Sequence, residues 1–127
     1  MKMTVKHFFD AAHQLVDSDE LLTKGCARLH GHTYAVIVDF DGKPTKSGMI
    51  VDFKAIKNII DELDHQFIND IFKAKGLNHQ PTAENIAMYL AGQLVAQLHF
   101  SNITVSVCEG YKGVERSSWV SFNTSEA

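Results

Sequence analysis

Alternating apolar and polar residues lie in two pairs of segments, one pair towards each end of the chain. Residues 4–13 and 33–40 are rich in β-branched and aromatic side chains, which is typical of strands, and Asp-Gly-Lys-Pro at 41–44 is a turn signal. Two further alternating runs cover 103–109 and 117–122, with two glycines between them. The pattern predicts an antiparallel strand pair and, later in the chain, a closing hairpin.

Apolar residues at helical spacing indicate two helices between these strand pairs. Asp52 is a suitable N-cap for the first helix, whose apolar positions are Phe53, Ile56, Ile60 and Leu63. Thr82 is a suitable N-cap for the second, which begins at Ala83 and has apolar positions Ile86, Leu90, Leu94 and Leu98. The order ββααββ predicts a single α+β domain over residues 1–127, with a four-stranded antiparallel sheet and both helices on one face. The other face, expected to hold Val, Ile and Phe, would need cover from other subunits or closure into a barrel.

Composition narrows the classes of function. The 127 residues, 45% hydrophobic and 21% charged, fit one globular domain. A net charge of −3 without a Lys/Arg cluster gives no reason to expect nucleic acid or an anionic membrane, so a small-molecule substrate is favoured. The first residues lack the apolar core of a signal peptide, so a cytoplasmic location is expected. In a reducing compartment Cys26 and Cys108 are expected to be free thiols.

The segment Cys-Ala-Arg-Leu-His-Gly-His at 26–32 contains the first candidate chemistry. Residues two apart in a strand share a face, so His30 and His32 can point both imidazoles at one spot. His13, at the end of the first predicted strand, is the most economical third ligand. Three imidazoles that leave the fourth tetrahedral position open are typical of catalytic zinc. Cys26 is then a separate reactive group near the metal, whereas the alternative interpretation is a pair of hydrogen-bonded strand histidines.

Two acidic positions add candidate proton-transfer and binding groups. Asp64 precedes His65 at a predicted helix end, where the carboxylate can fix the imidazole tautomer for acid–base catalysis, or where the pair can simply cap the helix. Glu109 ends the third predicted strand, where it can protrude into a site and bind a guanidine-like edge, or lie exposed at a turn. The residues alone leave these alternatives open.

As a set, these motifs resemble the 6-pyruvoyltetrahydropterin synthase family. The matching segments follow the family's order over nearly the whole chain, at 9–13, 26–32, 51–53, 63–65, 81–85 and Glu109. The resemblance implies the tunnelling fold (T-fold), whose trimers form a twelve-stranded barrel and stack in pairs as hexamers. It also implies that Zn²⁺ is held by His13, His30 and His32, that Cys26, Asp64 and His65 are catalytic, and that the pterin is bound by Glu109, Thr82 and Glu84.

Within the family, the three residues between Cys26 and His30 are similar to the spacing in the bacterial 6-carboxytetrahydropterin synthases of queuosine biosynthesis. The implied reaction converts 7,8-dihydroneopterin triphosphate into 6-carboxytetrahydropterin and releases acetaldehyde and triphosphate. A 6-pyruvoyltetrahydropterin synthase, or a relative that acts on another pterin, is the alternative.

Two positions depart from the family pattern at expected substrate contacts. Gln14 stands where relatives often have a basic residue, and Gly110 where they usually have Thr. The competing class is a non-catalytic protein that binds metal or pterin. Cys26 together with the Asp64–His65 pair argues against that class, because binding alone needs neither a thiol nor an acid–base pair.

Overall fold

Four antiparallel strands form a single sheet in the computed structural model, which describes residues 1–15, 28–113 and 117–126. The strands are β1 (Lys2–His13), β2 (His30–Asp41), β3 (Ile103–Glu109) and β4 (Trp119–Asn123). Their spatial order β1-β2-β3-β4 is also their order in the chain, and each neighbouring pair is antiparallel. The predicted α+β class and the four-stranded antiparallel sheet are therefore confirmed.

Three helices, where the sequence pattern predicted two, lie between β2 and β3. They are α1 (Phe53–Ile60), which continues into a 3₁₀ turn (Asp61–Leu63), α2 (Ile68–Ala74) and α3 (Ala83–Leu98). The predicted order ββααββ is corrected to ββαααββ because α2, only seven residues long, is too short to give a clear helical period. Within the described part of the chain, no helix combines the length and the apolar character needed to cross a membrane.

Both predicted helix caps are confirmed. The carboxylate of Asp52 accepts a hydrogen bond from the backbone N–H of Lys54, at 2.9 Å. The hydroxyl of Thr82 accepts one from the backbone N–H of Asn85, at 3.2 Å. Each bond satisfies an N–H that the first turn of the helix leaves without a partner, and so fixes where the helix begins.

The core lies between the helices and one face of the sheet. Val5 and Phe9 of β1 are buried, and the register pairs them with Val38 and Tyr34 of β2, so these side chains point to the same face. On that face α3 contacts β3 and β4, and α1 contacts β1. The alternation along the strands thus separates an apolar face under the helices from a second, uncovered face.

The uncovered face of the sheet is polar at most positions, but an apolar row of Phe8, Ala35, Cys108 and Trp119 crosses it, so the expected apolar surface is present only in part. Hydrogen bonds between neighbouring strands join Thr4 to Asp39, Ser106 to Ser121 and Asn123 to Thr104. Phe8, 45% exposed, is a large apolar side chain on this face. Strand pairing between subunits would use the edges of β1 and β4.

Candidate metal centre and its cavity

Strand pairing brings three histidines and one glutamate to the same end of the sheet. His13 ends β1 and pairs directly with His30, the first residue of β2, and His32 pairs with Ala11. Glu109 ends β3 and pairs with Tyr34. Directly paired residues of antiparallel strands point to one face, and residues two apart share a face, so all four side chains project towards the helix-covered side.

The four side chains converge on a volume the size of one metal ion. The Nε2 atom of His13 lies 2.9 Å from Nε2 of His30 and 2.8 Å from Oε1 of Glu109. The same carboxylate oxygen lies 3.2 Å from Nε2 of His32, and one ligand atom from each of the four residues falls within 4.8 Å of the others. Tetrahedral zinc with bonds of about 2.0–2.1 Å separates its ligand atoms by about 3.3 Å, which lies within the range of separations in the cluster, so a small rearrangement accommodates the ion.

Backbone carbonyls hold two of the imidazoles in the tautomer that a metal requires. Nδ1 of His13 donates to the carbonyl of Pro81 at 2.7 Å, and Nδ1 of His30 donates to the carbonyl of Arg28 at 2.6 Å. Because a carbonyl oxygen only accepts, each Nδ1 keeps its proton, and in the neutral ring Nε2 presents a lone pair to the cluster. Such carbonyl partners orient histidine ligands in metal sites, so the residues fit a zinc ion.

The charges of the cluster are strongly coupled. Hydrogen bonds from His13 and then His32 hold the pKa of Glu109 far below its ordinary value, against the opposing effect of burial. Burial lowers the pKa of His13, but the hydrogen bonds to Glu109 and to the Pro81 carbonyl outweigh it and leave the pKa raised. In the metal-free protein the cluster therefore favours an imidazolium beside a carboxylate.

Tyr34 forms the aromatic floor of the cluster. Its side chain is fully buried and stacks on Phe9, with ring centroids 4.9 Å apart and planes 9° from parallel. The rings of His13 and His32 meet it nearly perpendicularly, at 6.0 and 5.7 Å. Edge-to-face packing of this kind restricts the rotation of both imidazoles.

The Asp64–His65 pair lies at the outer edge of β1. Oδ1 of Asp64 accepts the backbone N–H of Asp10 at 2.9 Å, and the backbone N–H of His65 donates to the carbonyl of Asp10. The next contact along the edge is from the N–H of Ala12 to the carbonyl of Gln66, at 2.9 Å. These bonds accompany a left-handed backbone at His65, with φ 59°, which is uncommon for a residue other than glycine.

Within the pair, Oδ2 of Asp64 accepts a hydrogen bond from Nδ1 of His65 at 2.9 Å. The N–H of Asp10 and then His65 lower the pKa of Asp64, so its carboxylate stays ionised. The bond leaves Nε2 of His65 available for proton exchange, on a side chain that is 80% exposed. The geometry suits an acid–base pair, whereas the Asp64 carboxylate binds Asp10 of β1 and His65 and does not act as the helix cap of the alternative interpretation.

One cavity joins the histidine cluster to this pair. It has a volume of about 600 Å³ and is lined by Asp10, Ala11, Ala12, Gly31, His32, Thr33, His65, Gln66 and Phe67. His32 of the histidine cluster and the exposed His65 thus face the same space. Thr33 donates to the carboxylate of Asp10 at 2.5 Å, which connects the two strands that form the wall of the cavity.

The remaining predicted residues have different positions. Cys26 lies outside the described residues. Thr82 caps α3, and Glu84 lines a separate cavity of about 140 Å³ beside β4, so neither is among the described residues that surround the larger cavity. Glu109, which the resemblance implies as the pterin anchor, lies inside the histidine cluster.

The sequence pattern did not identify the carbonyls of Pro81 and Arg28 as partners of the histidines. No residue-type signal marks a carbonyl, because every residue has one. The floor residue Tyr34 and the clamped strand residue Asp10 were also missed. For Tyr34 a signal existed, since it lies two residues after His32 and therefore on the same face of the strand.

The comparisons with known sequences agree with this geometry. Residues 2–122 match the family model described as 6-pyruvoyl tetrahydropterin synthase. A 6-carboxy-5,6,7,8-tetrahydropterin synthase from Haemophilus influenzae is 32% identical, with 85% of this chain and 96% of that protein covered. A putative enzyme of the same name from Pyrococcus abyssi is 45% identical over 60 residues, which are 47% of this chain but only 36% of that protein.

Solved structures share the fold at lower identity. The 6-pyruvoyl tetrahydropterin synthase of Caenorhabditis elegans superimposes with a TM-score of 0.64 at 21% identity, over 97% of this chain and 94% of that one. An uncharacterized protein from Wolinella succinogenes gives a TM-score of 0.68 at 20% identity, over 97% of both chains. At such identities the likeness concerns the fold alone.

Proposed function

Because the chain belongs to the 6-pyruvoyl tetrahydropterin synthase family, we propose that it is a zinc-dependent enzyme that converts 7,8-dihydroneopterin triphosphate into 6-carboxytetrahydropterin, with release of acetaldehyde and triphosphate. The family resemblance and the lyase-type activity predicted from the sequence are confirmed at the level of the family. The observation that carries the finer proposal is the cluster of three imidazoles that borders a cavity shared with an acid–base pair. Relatives named 6-carboxy-5,6,7,8-tetrahydropterin synthase support the choice of product.

In this proposal zinc is held by His13, His30 and His32. A bound zinc ion would supply a Lewis acid that polarises the side-chain oxygens of the substrate. The Asp64 carboxylate keeps the Nδ1 proton of His65 in place, so Nε2 of His65 takes or returns a proton in the cavity. Cys26 supplies the second proton-transfer group through its thiolate, and cleavage of a carbon–carbon bond follows in a retro-aldol-like step.

Pterin binding is assigned to Glu109, Thr82 and Glu84. The carboxylate of Glu109 stays ionised at neutral pH, as an acceptor for the 2-amino-pyrimidine edge must. Thr82 and Glu84 enter the proposal through the resemblance, since in one chain they lie away from the larger cavity. Thr82 and Glu84 of one subunit would then complete the site of a neighbouring subunit. This arrangement fits the proposed assembly, a homohexamer built as a dimer of trimers, in the cytoplasm.

The decisive experiment is product analysis with dihydroneopterin triphosphate and zinc-loaded protein. Stoichiometric acetaldehyde together with a 6-carboxypterin mass is the expected result. A 6-pyruvoyl product without aldehyde would assign the chain to the alternative reaction. Turnover of unphosphorylated dihydroneopterin alone would indicate a changed substrate and point to Gln14 and Gly110, the two departures from the family pattern.

A further inference from the structure

The Glu109 carboxylate lies among the imidazoles of the cluster, next to the space that a substrate or water would enter at an open three-histidine zinc site. Its Oε1 atom lies 2.8 Å from Nε2 of His13 and 3.2 Å from Nε2 of His32, the same two nitrogen atoms that point at the metal position. A carboxylate that only received the pterin edge would not need to lie between two imidazoles. Carboxylate oxygen is also a common zinc ligand, with bonds of about 2.0–2.2 Å.

The backbone turn directly after Glu109 lies close to His32. Gly110 has φ 66°, in the left-handed region, so the chain turns sharply where β3 ends. A Cβ atom at this position would lie 3.4 Å from Nδ1 of His32. Thr is β-branched and strongly disfavoured at positive φ. Gly110 therefore permits a turn at this position that a chain with Thr would not readily adopt.

We propose that Glu109 is the fourth protein ligand of the metal in the substrate-free enzyme, so that the resting site is closed by three imidazoles and one carboxylate. The pterin displaces this carboxylate as it binds, and Glu109 then contacts the pterin edge. This inference rests on the proposed function only in its second step, because the ligand set is a property of the protein without substrate.

The mobility required of Glu109 agrees with its surroundings. Its side chain is 34% exposed, whereas the side chain of His13 is fully buried. The rings of His13 and His30 each donate a hydrogen bond to a backbone carbonyl, and rotation of either ring would break that bond. His32 is 27% exposed, against 34% for Glu109, so in this proposal the carboxylate leaves the metal while the imidazoles retain it.

Metal affinity and a Co²⁺ spectrum test the ligand set without any turnover. Zn²⁺ affinity is measured by competition with a chromophoric chelator for wild type, Glu109→Gln and the control Glu62→Gln, which alters an exposed carboxylate of the 3₁₀ turn. Glu109→Gln is expected to lose at least tenfold to about a hundredfold in affinity, and Glu62→Gln is expected to match wild type. Circular dichroism of each metal-free protein separates loss of a ligand from loss of the fold.

The visible spectrum of the Co²⁺-loaded protein reports the fourth ligand. A water molecule in that position ionises at a pH of about 7 and makes the spectrum pH-dependent. At saturating Co²⁺ the wild-type spectrum is expected to stay constant through neutral pH, whereas the Glu109→Gln spectrum gains a transition. A neutral-pH transition in wild type, or unchanged zinc affinity in Glu109→Gln, would overturn the proposal.

A second pair of variants tests the backbone argument. Gly110→Asn and Gly110→Thr both add a Cβ atom near His32, but Asn tolerates positive φ and Thr does not. Gly110→Asn is expected to keep its Zn²⁺ affinity within a few-fold of wild type. Gly110→Thr is expected to fall towards the Zn²⁺ affinity of Glu109→Gln. Equal affinities for the Asn and Thr variants would refute the role of the turn. If the wild type fails to turn over dihydroneopterin triphosphate while these metal results hold, the proposed reaction fails and the fourth ligand stands.

Discussion

Removal of the Tyr34 ring is expected to damage both the fold and the metal centre. The ring is fully buried against Phe9, His13 and His32. A tyrosine buries roughly 150–250 Å², which at about 25 cal/mol per Å² corresponds to roughly 4–6 kcal/mol of transfer free energy. Tyr34→Ala keeps only a small part of this area, so we expect a loss of about 3–5 kcal/mol in the free energy of unfolding.

The same substitution frees the two imidazoles that the ring packs against. Metal affinity should therefore fall by about tenfold to a hundredfold, as it does when groups that orient metal ligands are removed. Tyr34→Phe keeps the ring, and the hydroxyl has no hydrogen-bond partner among the described residues, so a change within about 1 kcal/mol is expected. Phe40→Ala is the matched control, since Phe40 is fully buried at the opposite end of β2.

Urea denaturation of the zinc-free proteins gives the stabilities, and chelator competition gives the metal affinities. The Phe40→Ala protein should lose stability to a similar extent and keep its metal affinity. The reasoning is refuted if Tyr34→Phe is as damaging as Tyr34→Ala, because the hydroxyl would then be the important group. It is also refuted if Phe40→Ala weakens metal binding as much as Tyr34→Ala.

Three further predictions concern pH, the thiol and assembly. The pKa of His13 is raised, so its contribution to metal-free stability is present below the ordinary histidine pKa and is lost as pH rises through the raised value. Zinc binding instead strengthens as the imidazoles lose protons, so urea titrations from about pH 6 to about pH 8.5 should show opposite slopes for the free and loaded proteins. Cys26→Ala should retain zinc and pterin binding but lose on the order of a hundredfold to ten-thousandfold in turnover, and loss of zinc instead would make Cys26 a ligand. Light scattering should find a hexamer at micromolar concentration, and a monomer would contradict a barrel formed through the edges of β1 and β4.

The local pattern of residues predicted most of the secondary structure. Ile103–Glu109 was predicted with the bounds that the structure shows. The strands β1 and β2 are longer than the predicted segments, by one to three residues at the ends where the bounds differ. The caps at Asp52 and Thr82 were also predicted, because an N-cap bond joins residues two or three positions apart. Interactions of that range depend on side-chain type and spacing, which a sequence displays directly.

The convergence of the three histidines was also predictable from the sequence. His30 and His32 share a face by strand geometry alone, and the pairing of the first two strands brings His13 opposite His30. The prediction that these three residues converge is supported by the geometry, whereas the chemical roles assigned to them stay predictions. The helix α2 was missed because seven residues display too little of a helical period.

Only the tertiary structure decided the partners of the site. The carbonyl of Pro81 lies 68 residues from His13 in the chain, and the edge contacts of Asp64 with Asp10 span 54 residues. Backbone groups have no residue type, so no sequence pattern marks them as hydrogen-bond partners. The position of Glu109 among the imidazoles likewise depends on strand register. Contacts of this kind form when distant segments pack, and they therefore determine whether a predicted carboxylate lies beside a metal position or within it.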